Sequence, residues 1–316
     1  MAATRVIIDT DPGIDDTAAI FFLLASPEEV RIEACTTVFG NCSVAQATRN
    51  LLGVLDVAGR PDLPVYAGAG HPLLREPRFA PHIHGDDGLG GLAASYPPSR
   101  EPAPGGAVAQ LVERVMASPG EITLIALGPL TNVALALRVE PRLAGALRSL
   151  VLMGGAVRVP GNVTPVASAN LANDPEAAAV VYNSGAPIVQ VGLDVCLPCI
   201  VTHAHLDRIR RVETPAMRLL LGVSDAIEQN YRRSRYDEGG ARYNDLPCAA
   251  YVVDPTLFRG ERVRVEIETT GTFTFGQTVA DWRGQLGREP NADVLLEVDH
   301  ARLVDLFAER VVRVGA

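Results

Sequence analysis

The chain has 316 residues, 47% hydrophobic and 21% charged, the proportions of a soluble globular protein with a substantial core. Its formal net charge of −9, with no basic stretch interleaved with aromatics, argues against nucleic-acid polymers and anionic membranes as partners and favours small molecules and metal cations. All 28 basic residues are arginine, which excludes lysine Schiff-base chemistry and the Walker phosphate loop.

Nothing at the N-terminus reads as a secretory leader, and no apolar run approaches the roughly 18 residues of a membrane span, so a cytoplasmic protein is expected. In chain order, short aliphatic runs alternate with helix-like segments. Residues 6–8 read as a strand and 17–24 as a helix; 32–38 with 44–57, and 122–127 with 131–137, repeat the pair. Two further strands are expected at 149–153 and 188–191. This alternation predicts an α/β fold with a mainly parallel, Rossmann-like open sheet and helices on both faces. No linker interrupts it, so residues 1–316 are expected to form a single domain.

The stretch 69–105 is rich in Pro, Gly and His without periodicity, and so long a loop is expected to border the functional site. A helical pattern over 214–236 runs into "YRRSRYDEGG", a solvated helix end or a mobile flap. Beyond it, "VRVEIET" and "TFTFGQTVADW" alternate as short strands, and an amphipathic helix over 300–312 closes the chain. Cys196 and Cys199 form a CxxC ahead of His203 and His205. A four-ligand zinc site would need a better second pair, so these cysteines are read as small apolar residues without function.

The strongest chemical signal is "VIIDTDPGIDD" at residues 6–16, which places Asp9, Asp11, Asp15 and Asp16 directly behind the first strand. In a parallel sheet, ligands bind beyond the carboxyl ends of the strands. A helix N-cap accounts for one aspartate at most. The remaining carboxylates call for a hard divalent cation, and a roomy oxygen set favours Ca²⁺ over Mg²⁺. An EF-hand is excluded, because Gly13 and Ile20 stand where its loop needs an acidic residue and a glutamate. A haloacid-dehalogenase type phosphatase wants Thr or Val at Gly13, and normally a lysine.

"DTDPGIDD" resembles the signature of the inosine-uridine type nucleoside hydrolases. "TTVFGN" (36–41), "ALGPLTN" (126–132), "VLMGG" (151–155), "GNVTP" (161–165) and "NDLPCAAYVV" (244–253) follow in that family's order, so the similarity spans nearly the whole chain. The resemblance implies Ca²⁺ held by Asp11, Asp16, the Leu127 carbonyl and Asp245, together with water and two ribose hydroxyls. Asp11 would act as general base on a water attacking the anomeric carbon, through an oxocarbenium-like state. Asp15, Asn41, Asn162 and Asn170 match positions that grip the ribose, and Met153 one that lines the sugar pocket. His84 matches a residue near the base. Asp9 is assigned to supporting the loop, and Asn173, Asp174 and Pro175 to a helix cap and first turn. The resemblance further implies a homodimer or homotetramer acting on a small-molecule nucleoside.

Two departures stand out. Asn244 replaces a histidine that many members carry before the last metal aspartate as a proposed proton donor, and asparagine cannot release a proton. Ser168 replaces a glutamate on the ribose side, with Ala169 in place of an aromatic. His84, and less directly Tyr231, Arg235, Tyr236 and Tyr243, are the remaining donor candidates. The expected function is Ca²⁺-dependent hydrolysis of the N-glycosidic bond of ribonucleosides. The alternatives are the same reaction on a modified nucleoside, and a nucleoside-binding protein without turnover.

Overall fold

A computed structural model describes residues 2–233 and 239–315. Its strands are β1 (Thr4–Thr10), β2 (Val30–Thr37), β3 (Val65–Ala67), β4 (Ile122–Ala126), β5 (Ser149–Met153) and β6 (Ile188–Val191). They continue as β7 (Ile200–Thr202), β8 (Gly240–Arg242), β9 (Phe258–Val263), β10 (Val265–Ile267), β11 (Thr278–Ala280) and β12 (Ala292–Val298). Eight form one sheet in the order β3-β2-β1-β4-β5-β6-β12-β9, parallel throughout except for the antiparallel edge pair β12 and β9. β10 pairs with β11, and β7 with β8, as small antiparallel sheets.

Alternation along the central strands divides the interior into two cores. Val6 and Ile8 of β1 face one core, with Phe21, Phe22, Leu51 and Leu220. Ile7 faces the other, with Leu111, Val133 and Val181. Successive side chains of a strand point to opposite faces, so a run apolar at every position is the pattern of a sheet covered on both sides. The covering helices include Ile14–Leu24, Val44–Val57, Pro215–Arg233 and Leu246–Val253 on the first face, and Ala107–Ala117, Thr131–Val139 and Pro175–Tyr182 on the second.

The helix Val44–Val57 starts where Ser43 Oγ accepts the Gln46 amide, a side-chain cap that fixes its first turn. The helix Pro175–Tyr182 follows the same logic: Asp174 caps it by accepting the Ala177 amide, and proline fills the first turn. Asn173 instead exchanges two hydrogen bonds with the Arg78 backbone, tying the long loop down. Among the described residues no helix is long and apolar enough to cross a membrane.

The chain leaves β1 to build β2 and β3 on one side, then returns to build β4 on the other. That reversal opens a crevice beyond the carboxyl ends of β1 and β4. Asp11 lies just past β1, and Leu127 just past β4.

Candidate active site

The crevice is built around backbone that the two strands hold in register. Asp9 pairs with Thr36 of β2 and with Ala126 of β4, and its carbonyl accepts the Leu127 amide at 2.8 Å. The Asp9 side chain faces back into the sheet edge, where its Oδ1 accepts from Thr36 Oγ1 (2.6 Å) and Asn132 Nδ2 (2.8 Å). It therefore ties the carboxyl ends of β1 and β2 to the start of the helix Thr131–Val139. Thr36 and Asn132 sit inside two of the sequence motifs, so the signal for them was present, but their service to Asp9 was missed.

Asp11 is wedged between two glycines. A Cβ on Gly40 would stand 1.9 Å from its Oδ2, and one on Gly128 would stand 2.7 Å from its Oδ1. Only a residue without a side chain lets these loops close on the carboxylate. The Asn41 amide donates to Asp11 Oδ2 at 2.8 Å, while the Asn41 side chain bridges the Asp11 carbonyl and Asp16 Oδ2. Asp16, in the first turn of the helix Ile14–Leu24, accepts from the Thr10 hydroxyl and from the Gly13 amide. The ordinary helix-start role thus falls to Asp16, which performs it with the oxygen it also presents to Asn41.

Asp245 arrives from the far end of the chain at the start of the helix Leu246–Val253, which packs on the helix Ile14–Leu24. One oxygen each of Asp15, Asp16 and Asp245 lie within 4.8 Å of one another. The tightest carboxylate triplet therefore contains Asp15, which sequence reasoning gave to the sugar, while Asp11 stands beside it. All four carboxylates are buried. Burial first, and then the charges of neighbouring aspartates, drive Asp11 and Asp245 well above the usual carboxylate range. Burial likewise takes Asp15 and Asp16 to about 6, against the lowering pull of backbone amides on Asp15 and of Thr10 on Asp16.

Among the described residues no arginine lines the cavity that these groups face, and Asp15 Oδ1 is buried with no hydrogen-bond partner. A buried polar atom without a partner carries a desolvation cost that a ligand removes. The donor set is all oxygen, clustered, anionic and short of counter-charge. It fits a hard divalent cation.

The cavity has a volume of about 260 Å³. Asp11, Asp15, Asn41, Met153, Asn162 and Asn170 line it, and so do His84, Leu127, Asn244 and Asp245. Asn170 Nδ2 donates to the Leu127 and Met153 carbonyls, locking the floor. Asn162, on the exposed loop after β5, accepts the Ala169 amide at 3.0 Å. Ser168 is placed otherwise than expected: it is fully buried beneath the wall, its hydroxyl accepts the Gly155 amide at 2.8 Å, and Ala169 fronts the cavity instead. The lining residues Ala80, Ile83 and Val163 were not foreseen, since apolar side chains in a loop carry no chemical signature, and His82 was passed over for its neighbour His84.

His84 comes from the expected loop and is buried. Its Nδ1 accepts the Ile14 amide at 3.3 Å and lies 3.8 Å from Asp15 Oδ1. Burial lowers its pKa to about 4, against the opposing charge of Asp16. The ring is neutral at pH 7, and with Nδ1 accepting, its proton sits on Nε2. Asn244 is held through its backbone, whose carbonyl accepts from Cys196 Sγ at 3.2 Å, and its Oδ1 has no partner. Tyr231 lines the cavity. Tyr243 does not: it is a core residue whose hydroxyl pairs with Ser224 and whose ring meets Phe307 edge-on at 5.9 Å. Arg235 and Tyr236, with the centre of the expected flap, lie outside the described residues.

Cys196 and Cys199 are buried, and Cys199 Sγ donates to the Val195 carbonyl. His203 pairs with Glu228, and His205 with Thr202. The two histidines are thus engaged away from the thiols.

Residues 6–305 match the family described as inosine-uridine preferring nucleoside hydrolase. The chain is 38% identical over 313 residues to the inosine-uridine preferring nucleoside hydrolase of Crithidia fasciculata, covering 98% of each. It is also 38% identical, again over 98% of each chain, to a pyrimidine-specific ribonucleoside hydrolase of Salmonella agona. Its fold matches that of a purine-preferring ribonucleoside hydrolase from Gardnerella vaginalis with a TM-score of 0.92, at 31% identity and 99% coverage of both.

Proposed function

Because the chain belongs to the inosine-uridine preferring nucleoside hydrolase family, whose members hydrolyse N-glycosidic bonds, we propose that it is a Ca²⁺-dependent ribonucleoside hydrolase with Asp11 as general base. The observation that carries this reading is the group of buried carboxylates at the carboxyl edge of β1, without a counter-charge among the described residues and facing a cavity walled by amides. Asp11, Asp16, Asp245 and the Leu127 carbonyl would hold the cation, with Asp15 beside them. A bound Ca²⁺ supplies Lewis acidity, acidifying water and holding the vicinal hydroxyls of a ribose.

The chain's own groups do the rest. Asn41, Asn170 and Asp15 offer the alternating donors and acceptors that a cis-diol needs, and Met153 closes the pocket below. Asp11, fixed by the Asn41 amide and by Gly40 and Gly128, removes a proton from the attacking water. Its position among buried carboxylates raises its basicity and stabilises the positive charge that develops on the sugar. Water oxygen bonds to the anomeric carbon, the carbon–nitrogen bond breaks, and the base leaves with the electron pair and takes up a proton.

The source of that proton is where this chain is unusual. Asn244 donates a hydrogen bond but no proton, and a neutral His84 with its proton on Nε2 also donates without being a strong acid. This favours a second reading within the same chemistry, in which the natural substrate is a modified nucleoside whose base leaves without strong protonation.

Chromatography for free base after incubation with a nucleoside panel tests the reading. Ribonucleosides should release base, and 2′-deoxynucleosides should not. Inosine should react slowly relative to p-nitrophenyl riboside, whose leaving group is already stable, and Asn244→His should raise the inosine rate selectively by about 10². If inosine reacts as fast as p-nitrophenyl riboside, and His84→Ala changes neither, another donor serves the base. No product from any riboside would leave only the binding-protein alternative.

A further inference from the structure

Asn50, in the helix Val44–Val57, is 2% exposed and takes no part in lining the cavity. Burying a carboxamide costs free energy unless its hydrogen-bonding groups are met. Both sides of this one are met. Nδ2 donates to the Pro12 carbonyl at 3.1 Å and to the Asp87 carbonyl at 2.8 Å, while Oδ1 accepts from Gln46 Nε2, one turn earlier, at 2.8 Å. Carbonyl oxygens only accept, so the nitrogen has to be the atom that faces them.

The two carbonyls belong to different loops. Pro12 stands between Asp11 and Gly13 in the loop that carries the carboxylates, and Asp87 lies three residues beyond His84. Hydrogen bonds knit Asp87 and His84 into one piece of backbone. The Gly90 amide donates to the His84 carbonyl at 2.7 Å, and the Asp87 carboxylate accepts the Leu89, Gly91 and Ala93 amides at 2.8 to 3.0 Å. Before His84, the Ala80 amide ties this turn to the Asn41 carbonyl at 3.2 Å; after it, Asn50 ties it to Pro12. Gly88 lets the second tie close: at φ +79° it passes where a Cβ would stand 2.9 Å from Asn50 Nδ2. The carboxylate loop has fixings of its own, in the Asn41 amide and in Gly40 and Gly128. Loss of the Asn50 tie therefore frees the His84 turn and leaves Asp11 in place.

We propose that Asn50 is a positioning residue: by holding the Pro12 and Asp87 carbonyls at one amide nitrogen, it sets where the His84 ring stands relative to the carboxylate loop. It acts through His84 and reaches no reacting atom itself. Its kinetic consequence rests on the ribohydrolase reading, whereas its effect on the ring does not.

Asn50→Leu keeps the size of the side chain and removes both donors. kcat/KM for inosine should fall about 10-fold, the worth of one hydrogen bond to the departing base. p-Nitrophenyl riboside, whose leaving group needs no such bond, should lose less than about threefold. General destabilisation would lower both rates alike. In the His84→Ala background the same substitution should change the inosine rate by less than about twofold, because no ring is left to position. Gly88→Ala drives the loop off Asn50 from the other side, should give the same pattern, and serves if Asn50→Leu does not fold. Unchanged inosine cleavage overturns the proposal, and so does an equal loss on both substrates or a loss that persists undiminished without His84.

If wild type cleaves neither substrate, the hydrolase reading has failed, and the tie is then read from the ring by nuclear magnetic resonance of histidine-labelled protein. The His84 signal, identified by its absence in His84→Ala, should move or broaden in Asn50→Leu while those of His203, His205 and His300 stay in place. A His84 signal that does not move or broaden overturns the tie.

Discussion

Asp174 and Asp15 are both buried carboxylates at the start of a helix, yet they do opposite things. Asp174 accepts from the Leu73 amide (2.9 Å), the Thr131 hydroxyl (2.6 Å) and the Ala177 amide (3.0 Å), so both its oxygens are engaged by the protein. Asp15 lies close to Asp16 and Asp245, and its Oδ1 has no partner. Burial alone therefore separates nothing. What separates these two is whether the surrounding groups complete the carboxylate and whether it faces the cavity; Asp9, whose Oδ2 is also without a partner, is held through its other oxygen by Thr36 and Asn132 and does not line the cavity. The contrast yields experiments in which one region should lose function and the other stability.

The largest effect is expected from Asp16→Ala. It removes a carboxylate from the cluster and the anchor for Thr10, Gly13 and Asn41. Calorimetry should show loss of tight Ca²⁺ binding, and turnover should fall by about 10³ or more. Unchanged Ca²⁺ affinity in this variant would remove the metal assignment.

The second effect is one of pH. Asp9, Asp15 and Asp16 titrate at about 6 in the folded protein, above their ordinary value of 3.8, so the folded state holds protons that the unfolded chain has released. Their contribution to stability is complete below about 4 and is lost as pH rises through about 6. Chelator-treated protein should therefore melt several degrees lower at pH 8 than at pH 5.5, and added Ca²⁺ should cancel the difference by replacing the protons. A melting temperature of the chelated protein that rises over this interval would contradict the cluster's charge state.

Asp174→Ala should behave in the opposite sense. With two amides and a hydroxyl left without their acceptor and a helix cap lost, stability should fall by about 2 to 3 kcal/mol in chemical denaturation. Ca²⁺ affinity and kcat of the folded protein should stay within about twofold of wild type. A large loss of kcat at full folding would mean that the contrast between the two aspartates is misplaced.

The smallest effect should come from replacing Cys196 and Cys199 together by alanine. Burial pushes the Cys199 thiol up to about 12 and holds the Cys196 thiol well above its ordinary range, so neither is a thiolate at neutral pH. Metal content and turnover should remain near wild type, with about 1 to 2 kcal/mol of stability lost to the vacated volume. Stoichiometric zinc, lost in the double variant, would overturn this.

The regular elements were legible where local periodicity decides them. The helix Val44–Val57 and the strands β5 and β6 fall where the sequence pattern puts them, because an apolar run between turn residues has few other solutions. The strand expected over 272–282 shrinks to β11, since the Phe275, Gly276 and Gln277 amides turn back to the Gly271, Glu268 and Thr274 carbonyls. β9 escaped notice because its middle four residues are exposed, as befits an edge strand that buries little.

What the sequence determined by itself was the chemistry available: four aspartates behind one strand, no lysine, and motifs in an order that resembles a single family. Which aspartates share a site was decided in three dimensions, where the packing of the helix Leu246–Val253 on the helix Ile14–Leu24 carries Asp245 to Asp15 and Asp16. The direction each side chain takes was decided there too. Tyr243 and Asn244 are neighbours, yet the tyrosine enters the core against Phe307 while the asparagine faces the cavity; Ser168 turns inward to Gly155 and leaves the wall to Ala169. Local sequence sets the period of an element. Its facing depends on which distant surfaces bury it, and that information is spread over the whole chain.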